Sequence, residues 1–261
     1  MTTLLSQSID PNPLPSQEPS LIKIVQEAMH VITALQRKTL VVKLGGSTLE
    51  HQKAVLQDLV WLHSLGAHVV LVHGGGPYID EWLNKLAIPV RFEQGLRVTD
   101  AQTLEIVRLV LCGQINPQLV SMTTAMGGKA IGFSGADGYM IRAHVTNERL
   151  GLVGEIDAID PAPVLNALDK GYIPIIAPLG LDENGQFLNI NADLVASLLA
   201  GALKADRLVM LSNVCGICQA DGSLIPQLDE DQASHLIAEG VIRGGMLPKI
   251  RACLQALADV P

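Results

Sequence analysis

Residues 40–47 read Leu40-Val41-Val42-Lys43-Leu44-Gly45-Gly46-Ser47, and residues 69–77 repeat the theme as Val69-Val70-Leu71-Val72-His73-Gly74-Gly75-Gly76-Pro77. Each begins as a short β-branched run, as expected of a strand buried on both faces. Each then offers consecutive residues without Cβ, so backbone N–H groups can close on an anion where a helix begins. Two such cradles in one sheet imply a site for two anionic reactants, and Lys43 adds a fixed positive charge. The combination outlines a phosphotransferase.

Outward from these turns the chain alternates strand and helix. The pattern predicts a strand at 39–44 and a helix over about 48–65, started by Ser47 and stopped by Gly66. A strand at 68–73 then leads to a helix from Pro77, a favoured first helical position. Residues 91–99 read as a hairpin, after which Thr99 or Asp100 caps a helix to about 125. A strand at 129–133, a meander over 139–157, a helix at 161–170 and a strand at 173–178 follow. Asn184-Gly185 signals a hairpin turn, a helix starts near Asn191, and a strand is expected at 207–212. Two helices near 230–239 and 245–258 close the pattern. Repeated crossovers imply an α/β fold, a mainly parallel open sheet sandwiched by helices in three layers. The expected organisation is a disordered tail at 1–19, an N-terminal helix within 20–38, and two lobes at 39–180 and 181–261 with a cleft along the strand ends.

The net charge of −8 argues against nucleic acid or an anionic membrane surface as partner, so cations for phosphate must be concentrated locally. No stretch approaches the ~20 apolar residues of a membrane span, and residues 1–20 lack the basic start and apolar core of a secretory leader. Cysteine is sparse, which fits a reducing cytoplasm. Cys215 and Cys218 form a C-x-x-C, but no second pair exists to complete a structural zinc site, and no dedicated metal site is expected. There is no G-x-x-x-x-G-K-[ST], no G-x-G-x-x-G in the first crossover, and no protein-kinase catalytic loop. What remains is Lys43 in the first glycine turn, Arg97 in the hairpin, Asn189-Ile190-Asn191-Ala192-Asp193 at a helix start, and Gly244-Gly245-Met246-Leu247-Pro248-Lys249 at the last one. Taken singly, each has an ordinary structural explanation as a solvated lysine, a cap or a turn. Together they point to chemistry.

With these residues in view, the chain resembles the amino acid kinase family, and within it the branch that phosphorylates N-acetyl-L-glutamate. The resemblance runs from about residue 20 onward and in family order. It includes V-V-K-L-G-G (41–46), V-H-G-G-G-P (72–77), G-L-R-V-T-D (95–100), G-F-S-G-A-D-G (132–138), L-V-G-E-I (152–156), I-A-P-L-G (176–180), N-I-N-A-D (189–193) and G-G-M-L-P-K (244–249). G-L-R-V-T-D followed by N-I-N-A-D is the most specific part. The resemblance implies transfer of the γ-phosphoryl group of ATP to the γ-carboxylate of N-acetyl-L-glutamate, giving an acyl phosphate in arginine biosynthesis. It implies an acyl amino acid-binding lobe at 39–180 and a nucleotide-binding lobe at 181–261.

By matching to the family motifs, Lys43 would hold the transferring phosphoryl group, Lys249 the leaving ADP side, and Asp193 would orient both lysines. Gly45, Gly46, Gly75 and Gly76 would donate N–H groups to phosphoryl oxygens, with Gly75 and Gly76 also facing the substrate. Arg97 and Asn189 would bind the acyl amino acid. Ser212, Asn213, Gly216, Gly245 and Met246 would join Lys249 around the nucleotide. Mg²⁺ would arrive with ATP. His73 would shape its turn, since a carboxylate with a pKa of ~4.3 needs no general base. The helix at 20–36 resembles one by which relatives interlace dimers, which implies a homodimer or a hexameric trimer of dimers.

Four departures stand out. Family members usually continue for about thirty residues more, a helix and two strands, so the expectation is a nucleotide lobe missing its last elements. Val31 replaces a common tyrosine on the N-terminal helix, which leaves regulation by arginine open. Asn213 stands for a usual aspartate and Ala136 for a common lysine. The alternatives are a catalytically weak ligand-binding or regulatory homologue, and a kinase of a related acidic amino acid.

Overall fold

The structure is a computed structural model that describes residues 21–46, 51–93, 95–145, 147–214, 216–219 and 221–258. The expected tail at 1–19, the Ser47 cap and Cys215 of the C-x-x-C lie outside the described residues. Helix α1 spans Leu21–Leu35. Residues to Ala34 form one compact unit and those from Leu35 onward another.

In the larger unit the sequence pattern is realised element by element. Strand β1 (Thr39–Leu44), helix α2 (Gln52–Ser64), strand β2 (His68–His73) and helix α3 (Gly76–Lys85) are followed by a small antiparallel hairpin of β3 (Phe92–Glu93) and β4 (Leu96–Arg97). Helix α4 (Ala101–Arg108) runs through a π-turn at Leu109–Ile115 into α5 (Asn116–Ala125). Then come β5 (Ala130–Ser134), β6 (Ile141–Val145), β7 (Gly154–Ile159), α6 (Ala162–Asp169), β8 (Ile173–Ala177), β9 (Leu179–Leu181) and β10 (Phe187–Asn189). Helix α7 (Ala192–Ala202), strand β11 (Arg207–Leu211) and helices α8 (Glu230–Ala238) and α9 (Met246–Ala258) complete the described elements.

The central sheet is wholly parallel, in the order β11-β1-β2-β8-β5. A mixed four-stranded sheet, β10-β9-β6-β7, lies on one side of it and carries the hairpin that turns at Asn184-Gly185, where Gly185 takes φ +78°. Strand alternation divides the core. Leu40, Val42 and Leu44 of β1, with Val69 and Leu71 of β2 and Ile173 and Ile175 of β8, pack against α2, α3, the π-turn and α5. Val41, Val70, Val72 and Ile176 face the other way, onto α6, α7 and the small sheet. The same parity assigns the two polar strand residues. Lys43 shares the face of Val41 and looks toward α7. His73 shares the face of Val69 and Leu71 and looks toward α5.

The helix expected from Thr99 or Asp100 to about 125 is present, but it is not uniform. Asp100 is the cap, its carboxylate accepting from the Thr103 N–H at 2.8 Å. Pro117 then falls in the helix interior. Its ring cannot donate and crowds the carbonyl four residues back, and the wider π-turn just before it accommodates that.

Candidate functional site

The two glycine turns meet at the C-terminal ends of β1 and β2. Register pairs Leu44 with His73, and the Gly74 N–H donates to the Leu44 carbonyl at 2.9 Å. A Cβ at Gly46 would lie 2.7 Å from Pro77 Cδ and 2.9 Å from the Gly76 nitrogen, so the turns abut backbone to backbone. A Cβ at Gly75 would strike Leu111 and Ile115 of the π-turn at 2.6 and 2.7 Å. Only glycine fits at either place without a shift. Helix α3 starts there, with Gly75 as its cap and Pro77 in its first turn, which leaves its N-terminal N–H groups open to an anion.

Lys43 emerges beside these turns and meets Asp193 at 2.7 Å. Lys249 of α9 reaches the other carboxylate oxygen at 3.0 Å. Two cations thus share one anion, with a net positive charge next to the anion cradles. Asp193 sits in the first turn of α7, where Asn191 accepts from the Asp193 N–H at 2.8 Å and the Leu194 N–H at 3.2 Å. The buried Ser197 hydroxyl donates to the Ala252 carbonyl at 2.5 Å, tying α7 to α9 and so Asp193 to Lys249. Burial pushes the Lys43 ammonium below its usual value, and Asp193 offsets only part of that. Burial opposes ionisation of Asp193 too, but Lys43 and Lys249 outweigh it and hold the carboxyl below its usual range.

At the other end of the same cavity, about 220 Å³ in volume, stand Arg97 and Asn189. Arg97 Nη2 donates to the Gly76 carbonyl at 3.3 Å, and Phe92 stacks over its guanidinium at 4.8 Å. Arg97 Nη1 lies 2.6 Å from Asp80 Oδ1, yet neither buried atom makes an aligned hydrogen bond. The contact is an ion pair held by charge, and the fork keeps donor capacity for an incoming carboxylate. Asn189 Nδ2 donates to the Thr99 hydroxyl at 3.0 Å, which in turn donates to the Arg97 carbonyl at 2.9 Å.

The structure therefore brings Lys43, Gly46, Gly75, Gly76, Arg97, Asn189 and Asp193 to one cavity wall, with Gly45 adjacent in the chain and Lys249 joined through Asp193. It does not bring Ser212, Asn213, Gly216, Gly245 or Met246 into that wall. Pairing of Leu44 with Leu211 sets Ser212 and Asn213 just past β11, alongside the first glycine turn, and Ser212 bonds the Val214 carbonyl at 3.3 Å. Gly216 follows at φ +149°, while Gly245 and Met246 open α9. Among the described residues no group of three or more His, Cys, Asp or Glu side chains is arranged to hold a metal, and no helix is long and apolar enough to cross a membrane.

Sequence reasoning missed Thr99 and Asp80. Thr99 is fully buried and braces both Arg97 and Asn189. Its signal was available, since Thr99 and Asp100 could not both cap one helix. Asp80 gave none, being an acid on a helix like many others.

His73 is fully buried, and burial takes its pKa down to about 4 despite the bond to the Gly74 carbonyl. The native state thus refuses a proton that the unfolded chain accepts below about pH 6.5. Stability is expected to fall as pH drops from about 6.5 to about 4, by about 3 kcal/mol from this group. Urea titrations across that window check it, with His73→Gln giving a shallower dependence than the parent. Parallel curves would contradict it.

The sequence model of the amino acid kinase family matches residues 38–260. Acetylglutamate kinase of Synechococcus elongatus is 41% identical over 245 residues, covering 91% of this chain and 81% of the relative. The chloroplastic acetylglutamate kinase of Arabidopsis thaliana is 44% identical, covering 91% of this chain and 71% of its own. Among solved structures, N-acetylglutamate synthase of Neisseria gonorrhoeae superposes with a TM-score of 0.79 at 24% identity, covering 92% of this chain and 56% of that one. At that identity the likeness is one of fold.

Proposed function

The chain belongs to the amino acid kinase family, and we propose that it transfers the γ-phosphoryl group of ATP to the γ-carboxylate of N-acetyl-L-glutamate. The observation that carries this reading is the cavity itself, with two lysines on one buried aspartate at one end and an arginine fork with an asparagine at the other. An acidic amino acid would place its α-carboxylate on Arg97 and its side-chain carboxylate near Lys43, both of which line this cavity. The acetyl group removes the amine's charge, which leaves a dianion suited to a cavity lined with cations.

The reacting carboxylate is ionised at neutral pH, so the reaction asks for no proton transfer in the attack. Its obstacle is repulsion. Two unit charges ~4 Å apart oppose each other by roughly 4 kcal/mol at an effective dielectric near 20. Lys43 offsets this at the transferring group, Lys249 at the leaving ADP, and Gly45, Gly46, Gly75 and Gly76 add N–H donors to the phosphoryl oxygens. Asp193 keeps both ammonium groups aimed at one place. The carboxylate oxygen forms the new bond to phosphorus as the bond to the ADP oxygen breaks.

The region after β11 and the start of α9, including Ser212, Asn213, Gly216, Gly245 and Met246, is assigned to the nucleotide. Magnesium would enter on ATP and keep much of its water. The exposed apolar residues Ile22, Val25, Met29 and Val31 of α1 support a homo-oligomer, a dimer or a trimer of dimers.

The experiment is ADP release from MgATP with N-acetyl-L-glutamate, run beside glutamate and 2-aminoadipate. Release that requires the acetylated substrate is expected, and equal rates with all three would refute the substrate assignment. Arg97→Ala is expected to raise KM for the amino acid about 10²-fold, the loss of a charge-assisted bond of 1.5–3 kcal/mol, with KM for ATP nearly unchanged. An effect confined to ATP would contradict the role of Arg97.

A further inference from the structure

Two buried polar side chains, His73 and Asn116, take no part in the chemistry above. Asn116 stands where the π-turn passes into α5. Its Nδ2 lies 2.9 Å from the Ile175 carbonyl, 3.4 Å from the Phe133 carbonyl and 3.2 Å from His73 Nε2. This arrangement has one consistent orientation. A flipped amide would turn its oxygen onto two carbonyl oxygens, so Nδ2 faces them and donates. The amide has two hydrogens for three acceptors, the Phe133 carbonyl being the farthest, and an Nε2–H on His73 would point at those hydrogens, so Nε2 is assigned as the unprotonated nitrogen. The imidazole proton sits on Nδ1, where it donates to the Gly74 carbonyl at 3.0 Å.

The neighbouring glycine is held from the same direction. Leu111 and Ile115 fill the space beside Gly75 where a side chain would stand. The π-turn thus meets the second glycine turn twice, through Asn116 and His73 at Gly74 and through two apolar side chains at Gly75. Gly132 completes the socket, since a Cβ there would sit 2.0 Å from Asn116 Oδ1. Strands β2, β5 and β8 are bridged by one amide just behind the anion cradle.

We propose that Asn116 and His73 are positioning residues of the phosphoryl transfer, which together fix the Gly74–Gly76 backbone at the distance from Lys43 that the transferring group requires. The proposal rests on the kinase reading, because the turn is given its phosphoryl-binding role there. A carbonyl of Gly74 held by His73 fixes the peptide plane that leads into Gly75. Displacing such donors by a fraction of an ångström lowers turnover far more than it lowers ground-state binding.

The test has two arms on the full chain. With uniform ¹⁵N labelling at neutral pH, His73 is expected to show a protonated Nδ1 and a bare Nε2, and Asn116→Ala to shift both the Nε2 signal and the amide signals of Gly74, Gly75 and Gly76. A protonated Nε2, or unmoved glycine amides, overturns the proposal whether or not the chain is a kinase. In the kinetic arm His73→Leu is expected to lower kcat by about 10²-fold with KM for N-acetyl-L-glutamate within about threefold. His73→Asn, whose amide can still donate to the Gly74 carbonyl, is expected to recover about tenfold of that loss. A folded His73→Leu protein with parental kcat, or a loss that His73→Asn does not relieve, overturns it. An inactive parent with the expected spectra would count against the kinase reading alone. Should the His73 variants fail to fold, the spectra of the parent and of Asn116→Ala decide.

Discussion

Lys43→Ala is expected to lower turnover by about 10²–10³-fold, the loss found when one preorganised group that stabilises transition-state charge is removed. The fold should survive. Lys43 is buried at a cost, as its lowered pKa reflects, and its removal leaves Asp193 still paired with Lys249 at 3.0 Å. No buried charge is orphaned, so the penalty usual for breaking a buried ion pair does not apply. Single-turnover kinetics with MgATP and N-acetyl-L-glutamate, beside a thermal melt, separates the two quantities. Turnover near that of the parent would remove Lys43 from the reaction.

Asp193→Asn is expected to be as severe for turnover and worse for stability. It leaves two ammonium groups facing a neutral amide. Lys43 keeps its burial and the repulsion of Lys249, and loses the carboxylate that held its proton. Its pKa should fall further. Since a lowered pKa means protonation returns as pH falls, the residual activity of Asp193→Asn relative to the parent should rise as pH falls. The stability loss should be about 3 kcal/mol, the lower end for a broken buried pair, because asparagine keeps an acceptor and the same volume. Urea unfolding and a pH–rate profile from about pH 6 to 9 check both parts. A profile parallel to that of the parent would show that Asp193 does not govern the charge on Lys43.

Much of the fold was legible because its signals are local. Leu40–Leu44 and Val69–Val72 read as doubly buried strands, and the structure buries them on both faces. Alternation along β1 even settles which side Lys43 takes. Caps and turns were equally local, as Asn191 at α7 and Asn184-Gly185 at its hairpin show. The site was legible only as a set of residues matched to a family. Nothing in the spacing of Lys43, Asp193 and Lys249 says that they meet. Thr99 and Asn189 are 90 positions apart, and Asn116 is 43 from His73, so their contacts leave no trace in any short window. The π-turn was missed for a related reason. Pro117 announces a disturbance of the helix, but whether the helix breaks, kinks or widens depends on what Leu111 and Ile115 can pack against, and that is the second glycine turn.

The reaction proposed for this site delivers the phosphoryl group to a carboxylate. Hydroxylamine converts an acyl phosphate to a stable hydroxamate, so the measurement is hydroxamate formed per ADP released, with N-acetyl-L-glutamate and MgATP. One γ-hydroxamate is expected for each ADP, and neither product when the amino acid is left out. ADP released without hydroxamate would mean that water, not the carboxylate, accepts the phosphoryl group, and would contradict the proposed reaction.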